Sequence, residues 1–103
     1  MKVIWLPQAT EQLRITAKYI HQNFGSNVKD NFLQAVRQTN LLLSQQPNLG
    51  KAEPLLSDRA KMYRSTVVNK LNKIIYFIAD DHIEVADFWD CRREPEALVS
   101  NVK

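Results

Sequence analysis

Residues 62 to 89, MYRSTVVNKLNKIIYFIADDHIEVADFW, decide the fold. The stretch is dense in Val, Ile, Tyr, Phe and Trp and is interrupted at two points by polar pairs, Asn69-Lys70 and Asp80-Asp81. Composition of this kind predicts three successive strands, Met62 to Val68, Asn72 to Ala79 and His82 to Trp89, joined by tight turns into a meander. On the middle strand, the period of two puts Ile74, Tyr76 and Ile78 on one face and Lys73, Ile75 and Phe77 on the other. Both faces are partly apolar. One must pack against the rest of the chain, and the other is either an ordinary second buried face or a shallow surface that a partner covers.

Upstream of the meander the periodicity is different. Lys2-Val3-Ile4-Trp5-Leu6 is a short apolar strand ended by Pro7. From Pro7 the apolar residues Ala9, Leu13, Ala17, Ile20 and Phe24 recur at helical spacing, with proline at the first turn and Gly25 as the stop. Ser26 is placed to cap a second helix carrying Val28, Phe32, Ala35, Val36, Thr39, Leu42 and Leu43 on one face and ending before Pro47. So short a link requires an antiparallel helical hairpin. A basic loop punctuated by Pro47, Gly50 and Pro54 then leads into the meander. The expected architecture is α+β in the order β-α-α-β-β-β, with the helical hairpin packed on one face of a mainly antiparallel sheet.

The chain has 103 residues, 45% of them hydrophobic, enough for one compact core and one domain spanning 1-103. No charged start followed by a long apolar run and no eighteen-residue apolar stretch is present, so neither secretion nor membrane spanning is expected and a cytoplasmic location is. Cys91 is the single cysteine, which excludes an intramolecular disulfide and a cysteine metal site. The net charge of +3 is unevenly spread. Lys51, Arg59, Lys61, Arg64, Lys70 and Lys73 make the segment from 51 to 73 basic, and the segment from 74 onward is acidic. A basic stripe of this kind suits RNA, DNA or an acidic protein, or forms a solvated rim.

Most catalytic classes find no residues here. There is no glycine-rich phosphate loop after a strand, no histidine pair on a helix and no nucleophile elbow. His21 falls on the polar side of the first helix and His82 in a turn, so both read as solvated. Asp80-Asp81 reads as a polar turn, and Asp87 and Asp90 lie on opposite strand faces; no metal and no cofactor is expected. The cations remain: Arg64, Lys73 and the Arg92-Arg93 pair could converge if their strands are neighbours, unless Arg64 instead pairs with Asp87 or Asp90 across the sheet. Metal-free RNA cleavage needs a base, a phosphate-stabilising cation and an acid. The cations meet the second need, and only Tyr63 and Tyr76 lie near enough to be considered for the others.

Taken together, Val3-Ile4-Trp5, Ala9, Leu13, Ile20 and Phe24, Pro47-Asn48-Leu49-Gly50, Tyr63-Arg64-Ser65, Lys73-Ile74-Ile75-Tyr76 and Asp90-Cys91-Arg92-Arg93-Glu94-Pro95 resemble the RelE/ParE superfamily of type II toxin-antitoxin toxins, over nearly the whole chain. The resemblance implies a small toxin neutralised by a cognate antitoxin whose C-terminal segment wraps it. An apolar groove beside the hairpin, an open sheet edge and the basic segment are the surfaces expected to hold that antitoxin. RelE-like members cleave messenger RNA on the ribosome with basic strand residues and a Tyr or His near the C-terminus; ParE-like members lack that set and inhibit DNA gyrase. Here Arg64, Lys73, Arg92 and Arg93 match the basic positions, but no Tyr or His follows His82. The resemblance therefore implies a gyrase-binding toxin, with a ribosome-dependent endoribonuclease or an inactive binding module as alternatives. Tyr63, Arg64, Trp89, Arg92 and Arg93 are the residues expected to contact the target.

Overall fold

The computed structural model describes residues 1–91 together with Leu98 and Val102. Its elements are β1 (Lys2–Trp5), α1 (Pro7–Phe24), α2 (Ser26–Gln45), β2 (Lys51–Ala52), a 3-10 turn (Pro54–Leu56), β3 (Arg64–Val67), β4 (Asn72–Ile78) and β5 (His82–Asp90). The strands form one sheet in the order β1-β5-β4-β3-β2, parallel only where β1 meets β5. The α+β fold with a hairpin of helices on a mainly antiparallel sheet is therefore as expected. The two-residue edge strand β2 is additional, made where Lys51 and Ala52 pair with Ser65 and Arg64.

Gly25 alone joins the two helices. Its N–H donates to the His21 carbonyl at 3.0 Å and its own carbonyl accepts from Lys29 N–H at 3.2 Å, so one residue ends α1 and begins α2. It does so at φ 91, in the left-handed region that glycine enters without strain. The expected cap by Ser26 is not formed: Ser26 is already helical, and its hydroxyl lies 3.5 Å from His21 Nδ1.

Ala9 from α1 and Phe32, Val36 and Leu43 from α2 bury themselves against Ile74, Tyr76, Ile83, Val85 and Phe88 of the sheet. Phe88 sits between Trp5, at 6.0 Å, and Phe32, which meets it edge-on at 5.9 Å. Burying side chains of this size contributes about 1.5–3 kcal/mol each. Three residues expected on the inner faces turn outward: Phe24, Val28 and Leu42 are exposed. At 3.6 residues per turn a stripe drifts, and Phe32, Val36, Thr39 and Leu43 hold the centre line of α2 while Val28 and Leu42 fall to its flanks.

The other sheet face is also dry. Ile75, Phe77 and Trp89 are covered by Leu56, Tyr63, Leu98 and Val102, so a bare concave surface awaiting a partner is not what this face presents. The chain covers it because an exposed patch of large aromatic and aliphatic groups on water is unfavourable. A bulge in β5 sets which residues reach which face: Ile75 pairs with Asp87 but Tyr76 pairs with Val85, leaving Ala86 over. Val85 and Phe88 thereby face the helices, while Asp87 shares the side of Ile75.

Candidate functional site

The geometry of the basic segment begins with β3 and β4. Arg64 lies opposite Tyr76 and Lys73 opposite Val67. Directly opposed residues of an antiparallel pair point to the same side, and positions three apart on β4 point to opposite sides. Arg64 therefore shares the helix side with Tyr76, and Lys73 the other side with Trp89, its partner on β5. The expected convergence of Arg64 with Lys73 does not occur. A cation on each face cannot grip one phosphate.

Each cation has a place in the fold. Arg64 Nη1 donates to the Gly50 carbonyl at 2.8 Å, and Arg64 takes part in none of the ion pairs among the described residues, so the considered pairing with Asp87 or Asp90 is replaced by this loop contact. The register explains it, since Asp87 and Asp90 lie opposite Ile75 and Asn72, away from the rung of Arg64. Lys73 Nζ pairs with Glu53, whose carboxylate is buried and also accepts from Leu55 N–H at 3.3 Å. Glu53 was hidden in a loop that reads as basic, twenty positions from its partner. Arg92 and Arg93 lie outside the described residues.

Both aromatic candidates are packing groups. Tyr63 is buried and meets Phe77 edge-on at 5.6 Å; Trp89 is buried in the same cluster. Burial pushes the Tyr63 phenol above its ordinary pKa, against a smaller lowering by Arg59. Tyr76 is fully buried, and burial raises its pKa too, outweighing the opposing effects of Gly50 and Arg64. Its hydroxyl donates to the Pro47 carbonyl at 2.8 Å and accepts from Gly50 N–H at 2.7 Å. Neither phenol is set up to give or take a proton at neutral pH.

His82 opens β5 rather than standing free in a turn. Its Nδ1 lies 2.7 Å from Asp81 and its Nε2 3.3 Å from Glu84. The bond to Asp81 raises the imidazole pKa, helped by Glu84 against some desolvation. The histidine lies at the opposite end of β5 from Trp89, the rung of Lys73, roughly 20 Å away at strand spacing. Cys91 is a thiol whose pKa is raised by burial, the reverse of an activated nucleophile. Among the described residues no three His, Cys, Asp or Glu side chains gather as a metal site, and no helix is long and apolar enough to cross a membrane.

Concave surfaces among the described residues include a pair at opposite ends of the β3–β4 ladder. The larger, about 680 Å³, runs between the outer side of α1 and the β3–β4 turn, lined by Ile15, Tyr19, Phe24, Val28, Leu71 and Phe88 among others. It matches the apolar groove expected beside the hairpin, and the outward-turned Phe24 and Val28 help build it. Among the described residues no lysine or arginine lines it. The smaller, about 290 Å³, lies at the other end of the β3–β4 ladder and is lined by Lys61, Met62, Arg64, Phe77 and Ile78.

Residues 3–95 match a family model described as the ParE toxin of a type II toxin-antitoxin system, parDE. The fold is shared with solved structures. A chromosomal ParDE toxin-antitoxin system from P. aeruginosa superimposes with a TM-score of 0.71 at 15% identity, covering 87% of this chain and 95% of that one. A YoeB/ParE toxin from Agrobacterium tumefaciens gives 0.59 at 18% identity, covering 87% and 98%. A YoeB dimer from Staphylococcus aureus gives 0.57 at 24% identity, covering 84% and 92%. No curated protein matches the chain significantly.

Proposed function

Because the chain belongs to the ParE toxin family of type II toxin-antitoxin systems, we propose that it halts growth by binding DNA gyrase, without catalysing a reaction, and that a cognate antitoxin neutralises it. It acts in the cytoplasm, as the growth-arresting half of a plasmid-stabilisation or addiction pair. The observation that carries the non-enzymatic reading is the fate of the acid and base candidates. Tyr63 and Tyr76 are buried with raised pKa values, and the Tyr76 hydroxyl is spent on Pro47 and Gly50. Lys73, one of the cations an RNA cleaver would need, is paired with the buried Glu53. Among the described residues no proton-transfer pair stands near a free cation, and without one cleavage of a phosphodiester loses the largest contributions that side chains can make to it.

Similar structures include a ParDE system and a YoeB-YefM complex, which supports an antitoxin partner here as well. The groove along α1 suits it, being mainly apolar and free of lysine and arginine among the described residues, so that an amphipathic helix can lay its apolar side there. Target contact falls to Arg64 and to Arg92 and Arg93. Tyr63 and Trp89 are buried in the second core and serve packing rather than touching the target.

Induced expression without antitoxin tests the proposal. Gyrase supercoiling should fall in extracts and with purified protein while transcripts stay intact. Codon-phased new 5′ ends with normal supercoiling would establish the ribosome-dependent nuclease instead, and unimpeded growth would leave an inactive binding module. Replacing both Arg92 and Arg93 by Glu should weaken toxicity more than folding; full toxicity of the soluble double variant refutes that role.

A further inference from the structure

The basic segment resolves into cations that are neutralised and cations that are not. Lys73 is paired with Glu53 and Arg59 with Asp58. Lys61 and Arg64, by contrast, take part in no ion pair among the described residues, and both line the small pocket of about 290 Å³ with Met62, Phe77 and Ile78, Lys61 on the Phe77 side of the sheet and Arg64 on the helix side. Lys61 Nζ stands 4.5 Å from the centre of the Phe77 ring, held there by the ring's negative face. Arg64 spends Nη1 on the Gly50 carbonyl, and a guanidinium has further N–H donors to offer. Met62 is 68% exposed and Ile78 37% exposed, so an apolar shelf lies beside the two charges. Of the acidic groups nearby, Glu84 opposite Phe77 and Asp81 are engaged by His82, while Asp80 stands exposed in the turn beyond Ile78.

We propose that this pocket receives an acidic peptide segment of the target protein, with one carboxylate on Lys61 and a second on Arg64, one at each side of the sheet end, and an adjoining aliphatic side chain on Met62 and Ile78. The inference rests on the gyrase reading above and adds the surface and the chemistry of the contact. Charge complementarity selects an acidic occupant. A nucleic acid fits less well, because Lys61 already covers a face of Phe77 and leaves no open ring for a base to stack on. Two cations are also too few to follow a run of phosphates. The antitoxin is better matched to the groove along α1, which lies at the Asn72 end of β4, whereas this pocket lies at the Ile78 end, roughly 20 Å away.

The experiment uses purified full-length protein with gyrase holoenzyme, the antitoxin encoded beside the gene, and single-stranded RNA. Lys61→Glu and Met62→Ser change exposed side chains, and thermal unfolding confirms that each variant is folded. Lys61→Glu should raise the concentration needed to inhibit supercoiling by about tenfold or more, and Met62→Ser by about threefold, with antitoxin affinity unchanged. Inhibition by wild type with equal potency of folded Lys61→Glu overturns the pocket alone. A loss confined to antitoxin affinity, or RNA binding that Lys61→Glu abolishes, overturns it in favour of those occupants. Wild type that leaves supercoiling untouched overturns the gyrase reading and this inference together, and is recognised because it is seen before any variant is made.

Discussion

Arg64 and Tyr76, opposite one another across β3 and β4, hold the same loop. Arg64 Nη1 binds the Gly50 carbonyl at 2.8 Å, while the Tyr76 hydroxyl bonds Gly50 N–H at 2.7 Å and the Pro47 carbonyl at 2.8 Å. Both peptide groups of Gly50 are thus satisfied by side chains of the sheet. The loop leaving α2 is fastened at the point where β2 must begin.

Tyr76→Phe removes the hydroxyl and leaves the buried Gly50 N–H without its acceptor. A loss of about 1–3 kcal/mol in unfolding free energy is expected from denaturant titration, because an orphaned buried donor costs more than a hydrogen bond is worth. Loss of less than about 0.5 kcal/mol would show that water reaches Gly50 readily.

Gly50→Ala probes the same contact sterically. A Cβ there would meet the Ser65 carbonyl oxygen at 2.7 Å and the Tyr76 hydroxyl at 2.7 Å, and neither a strand backbone nor a buried ring yields easily. Destabilisation of about 1–3 kcal/mol is expected, with the largest amide shifts in residues 47 to 52 and 64 to 66. Spectra unchanged in that region would contradict the packing described.

Lys73→Met leaves the Glu53 carboxylate buried without its cation, for about 3–5 kcal/mol of lost stability. The double variant Glu53→Gln with Lys73→Met should be less damaged than the sum of the single changes, because the uncompensated charge is gone. Strict additivity in urea titrations would mean that the two groups do not interact. Were Lys73 a target contact instead, Lys73→Met would abolish toxicity while leaving stability intact.

His82 supplies a pH dependence whose sign follows from its raised pKa. Its paired, protonated form contributes stability that is fully present below the unfolded value of 6.5 and is lost as pH rises through the higher folded value. Wild type should therefore melt above His82→Gln in mildly acidic buffer, and the difference should shrink toward alkaline pH. A gap that widens as pH rises would reverse the assignment.

The fold was legible because its signals are local. Alternation in residues 62 to 89 and helical spacing from 7 to 45 each depend on neighbours in sequence, and Gly25 marks the hinge between helices by its own conformational freedom. The site was legible only as a set of residue types. That Arg64 and Lys73 are basic residues on adjacent strands is plain, but the face each occupies depends on register, and on β5 a bulge at Ala86 shifts the alternation. Leu98 and Val102 carried a usable signal, two apolar residues one helical turn apart, with Val102 N–H bonded to the Leu98 carbonyl at 3.1 Å. Their burial on the second sheet face depends on Leu56 and Tyr63, some forty residues away.

By itself, then, the sequence determined the α+β order, the helical hairpin and the toxin superfamily, since all of these follow from periodicity, turn chemistry and motif order along the chain. Only the tertiary structure decided that Lys73 is neutralised by Glu53, that Tyr63 and Tyr76 are core groups, and that Lys61 and Arg64 share a pocket. The reason is physical: the charge and reactivity of a side chain are set by burial and by partners brought near in space, and those partners are separated from it by anything from three to forty residues of chain.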